Sequence, residues 1–365
     1  MAAALTGGAH ALPAPMDQQR LWDGFFREHY ADAPLARKVW EHSGISSRCG
    51  VVDPTVEDVS GWTTGARMRR FLAEAMPLGK QAVASALDAA GLDAADVGLF
   101  TVVSCTGYAT PGLDVLLARD LGMTDSVQRL HIGHMGCYAA LPGLGAAADF
   151  VTARSKPALL LCLELTSLHV QPAGDTARTG SPTPEDLQQM VAHALFGDAA
   201  AAVVLEPVGV AGMGGDAAPG LEVVDLVART DVGTADLMTW DVTDLGFKLG
   251  LSPAVPDVLA RHARSVVEEL LGRHGLAVGD VDGWAIHPGG RRIVEVVGEV
   301  LGLAEEQLVP SYDVLRDVGN CSSATVLLVL ERLAGTVDVP PGGTVVAMAF
   351  GPGLTLYTAL LRRRR

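Results

Sequence analysis

The chain has 365 residues, enough for two domain-sized halves around a large buried core. It is 49% hydrophobic and 19% charged, an ordinary enzyme composition, and its formal net charge of -15 argues against nucleic acid or an anionic membrane as partner, because those need an excess of Lys and Arg. Five cysteines (Cys49, Cys105, Cys137, Cys162 and Cys321), an odd number without metal-type spacing, point to reduced thiols in a cytoplasm.

From the N-terminus onward, MAAALTGGAHALPAP lacks the basic region of a signal peptide, and residues 1–20 are expected to be loose. GLDAADVGLFTVVSC, from Gly91, reads as a helix end, a Gly-Leu turn and an apolar strand that stops at Cys105. A helical stretch follows, ending at Leu121-Gly122. Next comes HIGHMGCYAALPGL, where 138–153 reads as a buried helix with Cys137 at its first turn and Pro142 within its tolerant opening. The longest apolar run, Ala158 to Leu168, is interrupted by Glu164 and too short to span a bilayer. Residues 173–184 read as a surface loop, and 207–220 as a Gly/Pro-rich junction.

Beyond that junction the pattern repeats. GLAVGDVDGWAIHPG, from Gly275, has the same helix end, turn and strand, now stopping at His287, and its helix ends at Leu301-Gly302. Val97 and Cys137 are about 40 residues apart, and Val281 and Asn320 about 39, so the two segments share a register. A helix is expected over 322–333, and a strand over 344–348 before the turn Gly351-Pro352-Gly353. The duplication implies two α/β halves, 1–212 and 213–365, each built on a mostly parallel sheet with polar residues at strand ends.

Three strings carry chemistry: HIGHMGCYAALPGL around Cys137, WAIHPGG around His287 and DVGNCSSATVLLVL around Asn320. A free cysteine is usually a small buried hydrophobe, which suits Cys162 and Cys49. Cys137 instead opens a helix, where the dipole is expected to lower its pKa and favour thiolate. His287 follows an apolar strand and precedes a Pro-Gly-Gly turn that fixes the ring. Asn320 alone reads as a helix N-cap, but beside His287 its carboxamide can bind a thioester oxygen as charge develops there. His131 and His134 precede the helix with no carboxylate nearby, so no metal site is assigned.

These strings resemble the type III polyketide synthases, the chalcone-synthase-like branch of the thiolase superfamily, over residues 37–361. The resemblance also includes SCTGYATPGLD (104–114), LELTS (163–167), ALFGDAAAAVVL (194–205) and FGPGLT (350–355). It implies a thiolase-like five-layered αβαβα fold, a homodimer, and Cys137 as acyl carrier held as thiolate by His287, with Asn320 helping to stabilise an enolate. Phe196 and Phe247 match two gatekeeper phenylalanines. Cavity positions would be Cys105, Thr106, Glu164, Thr166, His169, Met238 and Ser322, with Gly351 and Pro352 beneath, while Thr110 would reach into the neighbouring protomer. Arg37, Lys38 and Arg48 are candidate contacts for coenzyme A phosphates. Ala349 replaces a glycine usual in the family, and His169 and Met238 are bulkier than is usual in plant enzymes, which argues against a chalcone-type product.

The implied reaction loads a starter acyl-CoA on Cys137, decarboxylates malonyl-CoA, and repeats Claisen condensation before closing a pyrone, resorcinol or related ring. No cofactor beyond coenzyme A thioesters is implied. The alternatives are a ketoacyl synthase III-like enzyme making one condensation, an acyltransferase passing the group to an amine or alcohol, and a silent partner subunit. An intact Cys-His-Asn set disfavours the last.

Overall fold

A computed structural model describes residues 2–179, 181–209 and 220–364. Its frame is a sheet of nine strands in the spatial order Gly283–Ile286, Thr344–Gly351, Thr355–Arg363, Leu221–Thr230, Ala3–Ala11, Asp198–Pro207, Ala158–Leu165, Leu99–Val103 and Gln128–Ile132. The first four belong to the second half of the chain and the last five to the first half. They join where Ala3–Leu5 pairs with Leu221–Val223.

Alternation along the strands sorts side chains into layers. Leu160 and Cys162 of one half and Val345 and Ala347 of the other turn inward onto helices Ala140–Arg154 and Thr325–Thr336, which are buried between the two sheet regions. Leu159 and Leu161 face outward onto the long helix Thr64–Ala90, and Val346 and Met348 onto Val255–Gly272 and Arg291–Leu301. The result is the five-layered αβαβα arrangement, with apolar clusters on both faces of each sheet region.

The repeat is visible in detail. Helix Thr64–Ala90 ends on Gly91 at φ 68° and Val255–Gly272 leads to Gly275 at φ 67°, each followed by one short 3-10 turn and a buried strand. Helices Leu113–Leu121 and Arg291–Leu301 end on Gly122 and Gly302 at φ 75° and 74°, the left-handed conformation that glycine adopts without a Cβ penalty. The expected boundary at 212/213 lies outside the described residues.

Two expectations are corrected. The sheet is mixed: Leu99–Val103 is parallel to both neighbours and Gly283–Ile286 to one, whereas the other pairs are antiparallel. Of the antiparallel pairs, Thr344–Gly351 and Thr355–Arg363 form a hairpin, whereas Ala158–Leu165 and Asp198–Pro207 are separated by helix Pro184–Leu195. Residues 1–20 are not a loose tail, because Ala3–Ala11 is a central strand. Its small residues permit close approach; a Cβ on Gly7 would lie 2.4 Å from the Ala86 carbonyl oxygen of the long helix.

Candidate active site

Cys137, His287 and Asn320 line one chamber of about 50 Å³, together with Cys105, Thr106, Thr166, Phe196, Met238, Ser322 and Pro352. Each of the three sits where the backbone changes course. Cys137 lies in the 3-10 turn Gly136–Tyr138 that leads into Ala140–Arg154. Gly136 holds φ 70°, and a Cβ there would come within 2.8 Å of Pro352 Cδ. Gly351, at the end of its strand, presses on the same turn: a Cβ would stand 2.9 Å from Tyr138 Cδ1 and 3.3 Å from the Cys137 nitrogen. The glycines and proline of the FGPGLT string therefore fix the sulfur's position.

His287 is the first residue beyond Gly283–Ile286. Its backbone N–H donates to the Met348 carbonyl at 2.8 Å, and its ring meets Phe350 edge-on at 5.5 Å between centroids. Both ring nitrogens are buried without a hydrogen-bond partner among the described residues. Such orphaned polar atoms are uncommon and call for a functional explanation. Burial pushes the imidazole pKa down to about 3, so the ring is neutral.

Asn320 is held from both sides. Its Oδ1 accepts from the Ser322 N–H at 2.9 Å and the Thr325 hydroxyl at 3.4 Å. The oxygen so occupied, the amide's N–H groups are its remaining polar function. The N-cap-like contact is therefore present, and it also fixes the direction of the carboxamide.

One electrostatic expectation is corrected. The Cys137 thiol is pushed up to about 12, chiefly by burial, while hydrogen bonds from Ser322 and Asn320 pull the other way and the Glu164 charge adds to the rise. Removal of the sulfur from water outweighs the hydrogen bonds that favour thiolate. Burial thus disfavours the charged form of each group taken singly, the thiolate of Cys137 and the imidazolium of His287.

Other predicted residues divide. Phe247 and His169 line an adjoining recess that shares Thr166, Phe196 and the unpredicted Trp240 and Leu249 with the chamber. His169 Nε2–H donates to the Thr106 carbonyl at 2.7 Å, its Nδ1 accepts from the Phe247 N–H at 3.0 Å, and its ring stacks on Phe247 at 4.7 Å. It fastens the gatekeeper's strand to the chamber wall. Glu164 does not face the chamber: fully buried behind it, the carboxylate accepts from the Cys105 N–H at 3.0 Å, Thr106 Oγ1 at 2.7 Å and Ser323 Oγ at 2.6 Å. A buried carboxylate needs such donors, and here they tie three chamber-forming segments together. Thr110 is exposed and outside its own chain's chamber.

Of the candidate phosphate contacts, Arg37 and Lys38 are exposed on helix Pro34–Glu41, with Arg37 3.1 Å from Glu41. Arg48 is corrected. It is buried, its guanidinium donates to the carbonyls of His193 and of Phe196, the latter at 3.0 Å, and it lies over the rings of Phe26 and Trp40. Both bonds come from Nη1, at the end of the helix leading to Phe196, and so tie the buried guanidinium to that helix end.

Sequence reasoning missed Trp240, although the signal was available. In strand Met238–Thr243, Trp240 is two residues from Met238 and so on the same face. Its partner strand Gly246–Leu251 places Leu249 opposite Trp240 and Leu251 opposite Met238, and all four line the chamber.

Comparison with known proteins adds to this geometry. Residues 9–208 match the N-terminal domain, and residues 227–364 the C-terminal domain, of the chalcone and stilbene synthases. The chain is 36% identical to 1,3,6,8-tetrahydroxynaphthalene synthase of Streptomyces peucetius subsp. caesius, over 91% of this chain and 84% of that protein. It is 33% identical to the alpha-pyrone synthesis polyketide synthase-like Pks18 of Mycobacterium tuberculosis, over 87% and 80%. Among solved structures, 1,3,6,8-tetrahydroxynaphthalene synthase from Streptomyces coelicolor A3(2), a bacterial type III polyketide synthase, superposes with a TM-score of 0.89 at 27% identity, covering 99% of both chains. PKS-I from the brown alga Ectocarpus siliculosus gives 0.83 at 31% identity, covering 99% and 98%.

Proposed function

Because this chain belongs to the chalcone and stilbene synthase family of type III polyketide synthases, we propose that it builds a small pyrone, resorcinol or related aromatic product on Cys137 from an acyl-CoA starter and malonyl-CoA. The observation that carries this reading is the chamber itself, where a thiol, an unpartnered imidazole and an oriented carboxamide meet. The residue roles below follow from that arrangement.

The Cys137 thiol attacks the starter's thioester carbon while His287, whose ring nitrogens have no other partner, takes the sulfur's proton. Thiolate and imidazolium formed together stabilise each other, which neither charge alone achieves in a buried site. Coenzyme A thiol leaves with a proton, and the acyl group remains on sulfur. Malonyl-CoA then loses CO2, and the electron pair moves onto the thioester oxygen as an enolate. Hydrogen bonds from His287 and Asn320 stabilise that oxygen; one such donor contributes about 3 kcal/mol. The enolate carbon attacks the acyl-Cys137 carbonyl, Cys137 departs as leaving group, and the extended chain, now on coenzyme A, reloads for another round.

Phe196 lines both recesses and Phe247 the adjoining one, and their match to the family's two gatekeeper phenylalanines supports that role. Arg37 and Lys38 remain the candidate phosphate contacts. The exposed Thr110, beside Tyr108, fits a homodimer in which each loop reaches the neighbouring chamber. No helix among the described residues is long and apolar enough to cross a membrane; we place the enzyme in the cytoplasm, with no cofactor beyond its coenzyme A thioesters. The two halves, divided near 212/213, act as one site, the first supplying Cys137 and the second His287 and Asn320.

The test is product mass spectrometry after offering acyl-CoA starters with free malonyl-CoA and no carrier protein. Ketide products from several rounds are expected. A single condensation that requires acyl carrier protein would favour the ketoacyl synthase III-like alternative.

A further inference from the structure

Trp240 occupies a place that the catalytic residues do not explain. It lines the triad's chamber and also the adjoining recess formed by Met16, Cys49, Val52, Val170, His193 and Phe247. Its indole N–H donates to the Cys105 carbonyl at 2.8 Å, beside the chamber wall. Its ring meets His169 at 5.4 Å and Phe247 at 5.9 Å, both nearly perpendicular, while His169 and Phe247 stack on one another. With Thr166, Phe196 and Leu249, the indole thus forms part of the wall common to both compartments, held by a hydrogen bond at its N–H and by contacts with two rings.

Each compartment is small, about 50 Å³. One water needs roughly 10–15 Å³ by this kind of measure, so either holds only a few non-hydrogen atoms as it stands. A poly-β-keto chain growing from Cys137 therefore meets the hairpin Met238–Leu251 early. Of the hairpin residues that line the chamber, Trp240 and Leu249 border the adjoining recess as well. Beyond Trp240 lies a ready-made recess lined mainly by apolar side chains, which suits the carbon backbone of an acyl chain.

The geometry points to Trp240 as a specificity-determining residue: its indole is the bulkiest of the four side chains that border both the condensation chamber and the second recess, and it limits how long a chain, or how large a starter, the enzyme accommodates. This rests on the polyketide synthase reading above. The N–H bond to Cys105 positions the indole, whereas the bulk of the ring is what limits chain growth. The two contributions separate by substitution.

The test uses the full-length enzyme with malonyl-CoA and, in turn, acetyl-CoA, hexanoyl-CoA and phenylacetyl-CoA, with products read by mass spectrometry. Trp240→Ala is expected to shift the main product by at least one added C2H2O unit, or to raise kcat/KM for the bulkier starters about tenfold relative to acetyl-CoA. Trp240→Leu, which keeps an apolar side chain on the hairpin, is expected to shift products the same way to a smaller extent. Trp240→Phe keeps a ring and loses the N–H bond, and is expected to retain the wild-type product length. Folded Ala or Leu variants with the wild-type product distribution and starter preference would overturn the proposal. So would a Phe variant that shifts products as far as Ala does, since the hydrogen bond rather than the bulk would then be decisive. Malonyl-CoA decarboxylation by the wild-type enzyme reads the functional assignment separately, and its absence would overturn both.

Discussion

Phe196 and Asn320, from opposite halves of the chain, are backbone neighbours in a parallel bridge. The Asn320 N–H donates to the Leu195 carbonyl at 2.9 Å, and the Gly197 N–H donates to the Asn320 carbonyl at 3.0 Å. Two residues of the chamber wall, one from each half, are thereby clamped to each other. Any displacement of the helix end that carries Phe196 is therefore passed to Asn320, the residue proposed to meet the enolate.

Arg48 sets that helix end, because its guanidinium satisfies the carbonyls of His193 and Phe196. Replacing it with Met leaves buried acceptors unpaired, at about 1–3 kcal/mol each. We expect Arg48→Met to lower Tm and to reduce kcat up to about 100-fold, the scale associated with a displacement of about 1 Å in a catalytic constellation. Arg48→Lys should recover only part, since an ammonium lacks the planar fork. If Arg48 instead bound coenzyme A phosphate, both variants would raise KM for malonyl-CoA and leave Tm unchanged. Melting curves and steady-state kinetics distinguish the outcomes.

Acid stability should be limited by buried histidines. Burial pushes His169 down to about 4 and His287 to about 3, and His193 well below the ordinary value. A depressed histidine pKa means that the unfolded chain binds the proton first. The stability gained by keeping these rings neutral is therefore fully present above about pH 6.5 and lost as pH falls toward the folded values. Each fully buried histidine should cost about 2 kcal/mol between pH 7 and 5. Glu164 and Asp198, whose carboxyls burial pushes up, act in the opposite sense. A histidine variant isolates the effect: His169→Gln should flatten the dependence of unfolding free energy on pH by about one proton. An unchanged slope in denaturant titrations at pH 5, 6 and 7 would contradict the assignment.

What the sequence revealed followed from where local rules hold. The duplicated halves were legible because each repeat carries its own punctuation, Gly91 and Gly275 ending long helices and Gly122 and Gly302 ending shorter ones. The triad was legible because Cys137, His287 and Asn320 each sit at a break in an apolar run. Strand Ala3–Ala11 was not, since its Gly and Ala residues resemble a loose tail until the Ala86–Ala90 helix surface is packed against them. Arg48 could not be placed from sequence, because an arginine that satisfies carbonyls more than a hundred residues away has no local signature. Nor could the thiol's protonation be read, because the helix position was visible and the depth of burial was not.

Gly351 is where backbone geometry acts directly on the nucleophile. An added Cβ would press on Tyr138 and on the Cys137 backbone nitrogen. Gly351→Ala should destabilise by about 1–3 kcal/mol through overpacking. It should also shift the Cys137 turn, so condensation should fall more steeply than decarboxylation of malonyl-CoA, which does not use the sulfur. Equal losses in both activities would mean that the substitution perturbs the whole chamber instead.

The division of labour within the triad gives the sharpest contrast. Cys137→Ala removes the acyl carrier but leaves His287 and the Asn320 carboxamide, whose Oδ1 is fixed by Ser322 and Thr325. Malonyl-CoA should therefore still lose CO2, and no extended acyl chain should form. Asn320→Ala keeps the thiol, so starter loading on Cys137 should persist, visible as an acyl adduct by intact-protein mass spectrometry. Decarboxylation should fall by about 100- to 1000-fold, as it does when one oxyanion donor is removed. The two variants should thus fail at different steps, one retaining CO2 release and the other retaining the adduct. An extended product from Cys137→Ala would place the acyl group elsewhere. Undiminished CO2 release from Asn320→Ala would take the carboxamide out of enolate stabilisation and leave it as a helix cap.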